Sequence, residues 1–125
     1  FVEDVERTLG HARPVFVVDY PASMASLART KPDQPHLAER LELYVSGVEL
    51  ANGFDELTDA AEQRRRCNED NDNRRGMGLP SIPIDEDFLT ALSHGMPPSA
   101  GIALGVDRLV MLLTDSKCID DVLTF

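Results

Sequence analysis

Positive charge is in short supply: 12 lysines and arginines stand against 22 aspartates and glutamates, a formal net charge of −10. A chain this acidic repels phosphate backbones, which excludes a generic nucleic-acid coat. Cysteine is equally sparse. Cys67 and Cys118 make no C-x-x-C pair and no zinc spacing. They read as reduced thiols, and with no signal peptide visible the expected compartment is the cytoplasm. Long apolar runs are missing too. The longest, Leu109 to Leu113, follows the charged Arg108 and falls far short of the ~20 residues of a membrane span, so no membrane association is expected. The glycines fit neither G-x-G-x-x-G nor a Walker loop. His11, His36 and His94 have no mutual spacing that suggests a metal site or a triad.

What is present suits one soluble domain, residues 1–125, with 42% hydrophobic and 27% charged residues and no internal repeat or low-complexity run. The chain opens at Phe1 without an initiator Met and closes on an apolar run ending at Phe125. The expectation is a piece of something longer.

Val15 to Val18, between Pro14 and Asp19, predicts a buried strand, and Arg29 to Pro35, with two prolines, a surface loop separating two ordered halves. Leu41 to Val45 and Val48 to Ala51 flank Ser46-Gly47, which is a hairpin signal. Such a hairpin pairs Val45 with Val48, Tyr44 with Glu49 and Glu42 with Ala51, so that Glu42 and Glu49 lie diagonally on one face. Asp59 and Glu62 have capping-box spacing before a helix reaching about Arg75, whose polar interior leaves its far end for solvent or a partner. Gly76 to Pro83 reads as a turn-rich loop, and Asp85 opens a short helix, Phe88 to Ser93. Ala100 to Val106 suits a central, glycine-rich strand, and Asp107 to Leu113 a buried helix. Ile119 to Phe125 is a further short apolar segment.

Three constellations bear chemistry. A single glutamate on the hairpin reads as part of a solvated face, but the pair Glu42 and Glu49 invites a hard cation, most naturally magnesium with a polyphosphate. Because Glu49 and Asn52 are three apart, both can face one site only through a β-bulge near Ala51. Asn52, Phe54 and Glu56 alternate onto one wall, an amide, a ring and a carboxylate suited to a cationic amine. An edge strand of mixed polarity explains that alternation equally, and spacing alone favours the plainer reading. Finally, Gly101 to Gly105 followed by Arg108 offers a bare strand for a flat ligand and a forked cation for phosphate.

In this order the constellations resemble the C-terminal half of the catalytic domain of class II lysyl-tRNA synthetases, and more closely the synthetase-like elongation-factor-P lysine ligases. The stretch from Leu41 to Asp59 looks like the family's hairpin and amino-acid-binding strand, and Met96 to Leu112 looks like its motif 3. The resemblance implies an α+β fold, a class II antiparallel sheet flanked by helices. It implies that Glu42 and Glu49 stand around ATP and Mg²⁺, with Leu43 also at the ATP and Glu49 near the substrate's α-side groups. Asn52, Phe54 and Glu56 would hold the lysine, and Gly105 and Arg108 the adenosine and triphosphate. Catalysis would rest on Arg108 and Glu49.

Two departures from the synthetases favour the ligase branch. Ala103 stands where they usually carry glycine, which places it among the substrate-binding residues, and Pro21 to Leu27 resembles the ligases' Pro-Ala-Ser-x-Ala-Ser-Leu. The acceptor implied is elongation factor P and the amino acid β-lysine or lysine. The alternatives are a lysyl-tRNA synthetase acting on tRNA(Lys) and a non-catalytic paralogue. Motifs 1 and 2 have no counterpart in the chain and are expected to precede Phe1, in a parent that is a homodimer. Alone, these 125 residues are expected not to form the adenylate.

Overall fold

The computed structural model describes residues 4–123. In chain order the elements are β1 (Val15–Pro21), β2 (Thr30–Lys31), β3 (Gln34–Val45), β4 (Val48–Asp55), α1 (Ala60–Gly76), α2 (Glu86–Ser93), β5 (Ala100–Leu104) and α3 (Val106–Thr114). They fall into two compact units, one holding the strands and α3, the other running from Glu56 to Ser99. The architecture is α+β, as the sequence implies.

In the first unit the strands form one antiparallel sheet in the order β1-β3-β4-β5, with β2 also paired to β3. Its centre is the hairpin of β3 and β4. Ser46 (φ 51°) and Gly47 (φ 77°) are both left-handed, the type I′ turn whose twist matches the strands. A side chain at Gly47 would sit 2.9 Å from the Arg7 carbonyl oxygen, so glycine is required there twice over. Val45 pairs with Val48 and Tyr44 with Glu49, as expected, but Leu43 then pairs with Ala51 and Glu42 with Asn52. The expected partner of Glu42, Ala51, is therefore displaced by one residue. Leu50 is the extra residue, a β-bulge beside the anticipated position. A second irregularity lies opposite Asp19, whose φ is 61°.

Several burial expectations are overturned. β1 is a strand but not a buried one, with Phe16 59% and Val18 56% exposed. Arg29 to Pro35 is not a loop between two halves. It contains β2 and the tight turn Pro32-Asp33, across which Lys31 pairs with Gln34, since proline presets the first turn position. β5 is an edge of the sheet among the described residues rather than its centre, and every one of its residues is exposed. α3 is amphipathic rather than apolar all round, with Asp107 and Arg108 off its apolar side, and has no buried residue, with Leu113 77% exposed. Periodicity reports what a helix could bury, not what this chain offers to cover it. Packing instead centres on Ala25, Ala28 and Ala38, joined by Phe54. β5 pairs with β4 along its whole length, and at one point the two backbones crowd: a Cβ on Gly53 would meet the Gly101 carbonyl oxygen at 2.9 Å.

In the second unit Asp59 caps α1, accepting from the Ala61 and Glu62 amides at 2.8 and 3.1 Å. The capping box is half made, because Glu62 turns instead to Arg65 and Arg66. Hydrogen bonds from Arg65 first, and from Arg66, hold its carboxyl down at about 2 against the opposing effect of burial. The polar helix finds its partner inside the unit, through the fork of Arg64 on Glu86 of α2. Asn71 also clasps the backbone of Ile82 in both directions, at 2.9 and 2.8 Å. α2 begins at Glu86, two residues before the expected Phe88, capped by Asp85 on the Phe88 amide at 2.9 Å. The C-terminal segment starts with a 3-10 turn, Ile119–Asp121, and its last two residues lie outside the described range. No described helix is long and apolar enough to cross a membrane.

Candidate functional site

Paired residues of an antiparallel ladder share a face, and neighbours along a strand alternate. Applied to the observed register, Arg40, Glu42 and Tyr44 of β3, Glu49, Asn52 and Phe54 of β4, and Gly101 and Ala103 of β5 all lie on one face. Glu42, Asn52 and Ala103 form a continuous row across three strands. The bulge at Leu50 makes this possible, because it lets Glu49 and Asn52, three apart, share the face. Leu43 points to the other face, opposite Ala51, so its side chain is not grouped with Glu42. Glu56 opens the second unit, where its amide donates to the Ser99 carbonyl at 2.9 Å.

Glu42 is 4% exposed, and a carboxylate buried so deeply must be compensated. Oε2 accepts from the hydroxyls of Tyr20 and Tyr44, the latter at 2.5 Å, and Oε1 accepts from Arg40. Tyr20 reaches it because the left-handed Asp19 returns the strand to the face of Val17. Both phenols are pushed well above their ordinary value, first by burial and then by the bond to Glu42. Sequence reasoning missed Tyr20, Tyr44 and Arg40 as members of the site. The signal for two of them was there, since Arg40, Glu42 and Tyr44 have strand periodicity.

At the hairpin end of the face, Arg108 of α3 donates through Nη1 to the Glu49 carbonyl oxygen at 2.6 Å and lies 3.4 Å from its Oε2. Gly105 caps α3 and ties β5 to the bulge, its amide donating to the Leu50 carbonyl at 2.9 Å. A hollow of about 490 Å³ opens between the Ser46 turn and α3, with Arg108 and Lys117 on its wall. Another cleft, of about 580 Å³, is lined by Arg40, Phe54 and Gly101 together with Val18, Leu41 and Ile102. The last three have their side chains on the opposite face from the Glu42 row.

Comparison with known proteins agrees with this architecture. The model of the family "tRNA synthetases class II (D, K and N)" matches residues 4–125. The chain belongs to this class II synthetase family. Relatives named "Elongation factor P--(R)-beta-lysine ligase" are similar along the whole chain. That of Edwardsiella ictaluri is 55% identical over 125 residues, that of Proteus mirabilis 54% and that of Erwinia tasmaniensis 52%. In each case the match takes in 100% of this chain and 38% of the relative. The chain thus spans well under half the length of these relatives.

Class II synthetase chemistry raises the question of magnesium. An ionised carboxylate has about four lone-pair sites. Three donors already occupy Glu42, which leaves one, and the Glu49 side chain, 32% exposed, is accessible. Mg²⁺ takes one or two carboxylates and completes its shell with phosphates and water, so the donor chemistry of these two side chains suits it. No cluster of three or more His, Cys, Asp or Glu exists among the described residues, so a closed protein cage is not on offer.

The tyrosine cage gives a direct optical test, because Tyr20 and Tyr44 are the only tyrosines in the chain. A phenol whose folded pKa is raised contributes stability that is complete below its unfolded value, 10.0, and is lost as pH climbs through the folded value. Absorbance at 295 nm should therefore stay flat through the pH range where free tyrosine ionises and rise together with unfolding. A smooth titration centred on the free-tyrosine value in the folded chain would show that the cage does not exist.

Proposed function

We propose that the protein containing this chain is an ATP-dependent ligase that activates a lysine-like amino acid, (R)-β-lysine foremost, as its acyl-adenylate. It then passes the acyl group to a lysine side chain of elongation factor P. The observation that carries this reading is the row Glu42, Asn52 and Ala103 on one sheet face, with Arg108 seated on Glu49 at the hairpin end of the same face. The relatives' printed names supply the acceptor and the amino acid.

In the adenylation step the substrate carboxylate attacks the α-phosphorus, the bond to the bridging oxygen breaks and pyrophosphate leaves. The nucleophile is already an anion, so no protein base is needed and the chain's work is positioning and charge stabilisation. Arg108 spends one nitrogen on Glu49, and the rest of its fork can meet the triphosphate in the hollow it shares with Lys117. Bound Mg²⁺, held by Glu49 and the remaining lone pair of Glu42, would neutralise phosphate charge. Asn52 and Phe54 would orient the amino acid, Glu56 would meet its distal ammonium, and Gly105 would let the adenosine lie against the backbone. Leu43, with its side chain on the other face, would act at the ATP through its backbone alone. A homodimeric, cytoplasmic parent is the setting proposed.

A second reading, a lysyl-tRNA synthetase charging tRNA(Lys), is favoured by the family's own description. Amino-acid-dependent ATP–pyrophosphate exchange by the full-length protein tests the activation step. Exchange should depend on β-lysine more than on lysine. No exchange with either would overturn the activation reading, and a preference for lysine would favour the synthetase.

A further inference from the structure

Arg40 touches both halves of the candidate site. Its side chain is 16% exposed and each of its nitrogens has a partner: Nη2 on Glu42 Oε1, Nη1 on the Met24 carbonyl oxygen at 2.7 Å, Nε on Asn52 Oδ1 at 3.4 Å. Its guanidinium carbon lies 4.7 Å from the Tyr20 ring centroid and 5.9 Å from that of Phe54, close enough for attraction to both ring faces. Anchored on a buried carboxylate and a backbone carbonyl, the planar fork has one orientation available.

We propose that Arg40 is a positioning residue that fixes the Asn52 side-chain amide with its oxygen turned inward and its NH₂ presented to the substrate. The inference rests on the lysine-activation reading above and deepens it. A bond from Arg40 occupies the Asn52 oxygen, so the group Asn52 offers a ligand is a donor. A donor suits the carboxylate of the amino acid, or the acyl oxygen of its adenylate, and does not suit an ammonium. Asn52 would thereby hold the reacting end of the substrate, leaving recognition of the distal amine to a carboxylate. Lysine at position 40 would keep the charge but lack the fork that reaches Glu42, Met24 and Asn52 together.

The test uses the full-length protein with R40M, R40K, N52A and the double variant R40M/N52A, assayed by pyrophosphate exchange. R40M should raise the amino-acid KM about tenfold with little change in the KM for ATP, because Tyr20 and Tyr44 still hold Glu42. R40K should not restore the wild-type value. In the N52A background R40M should add almost nothing, since the group it orients is gone. Effects that multiply in the double variant, a wild-type R40K, or parallel rises in both KM values would overturn the proposal. If R40M does not fold, R40K and R40K/N52A carry the same cycle. Should the wild type exchange no pyrophosphate, the functional reading fails separately. The crystal structure of R40K then decides the positioning claim: a re-oriented Asn52 amide supports it, and an unchanged one refutes it.

Discussion

Replacing Arg108 with alanine in the full-length protein is expected to lower kcat for pyrophosphate exchange about 10³-fold, with a much smaller change in the amino-acid KM. The size follows from where charge develops. As the bond to pyrophosphate breaks, negative charge grows on the leaving oxygens, and a forked cation already held in place stabilises it without reorganisation. Arg108 is so held by its 2.6 Å bond to the Glu49 carbonyl oxygen. Lysine there keeps a point charge and loses the fork, so R108K should recover only part of the rate. Steady-state exchange kinetics at saturating amino acid read this directly. A loss smaller than about tenfold would remove Arg108 from the stabilisation of the leaving group.

The second large effect concerns Ala103. It lies opposite Asn52 on the site face of β5, in a strand whose floor is otherwise mostly backbone. A methyl in such a place is worth ~1–3 kcal/mol of discrimination, about 10–200-fold. With the distal ammonium anchored, an α-amine and a β-amine set the reacting carboxylate at different depths. Ala103→Gly in the full-length protein should therefore shift the ratio of kcat/KM values toward lysine and away from β-lysine by a factor in that range. An unchanged ratio would exclude Ala103 as the determinant and weaken the ligase reading against the synthetase.

The hairpin and its bulge were legible in the sequence because each rests on a local rule. A two-residue loop with glycine between β-prone runs signals a hairpin, and Glu49 and Asn52, three apart, can share a face only if a residue is inserted. The cage around Glu42 was not, because Tyr20 is 22 residues from Glu42 and meets it only after Asp19 bends β1. A single sequence carries no record of such a pairing. The burial of β5 and α3 was misjudged for a different reason. Their apolar residues state a capacity to pack, and burial depends on a covering surface that the described residues do not provide to them. The half-made capping box belongs with these. Glu62 had the right spacing from Asp59, but two arginines within one turn offered it stronger, charge-assisted bonds. For the candidate site, the faces follow from register, whereas the role of Leu43 rests on resemblance alone and that of Glu56 on resemblance added to its alternation with Asn52 and Phe54.

The most direct measurement is intact-protein mass spectrometry of the acceptor. The full-length protein is incubated with ATP, magnesium and (R)-β-lysine, with purified elongation factor P and tRNA(Lys) supplied together. Elongation factor P is expected to gain the mass of one lysyl group on a lysine side chain while the tRNA stays uncharged, and lysine in place of β-lysine is expected to support the reaction poorly. Charging of the tRNA with elongation factor P left unmodified would contradict the ligase reading.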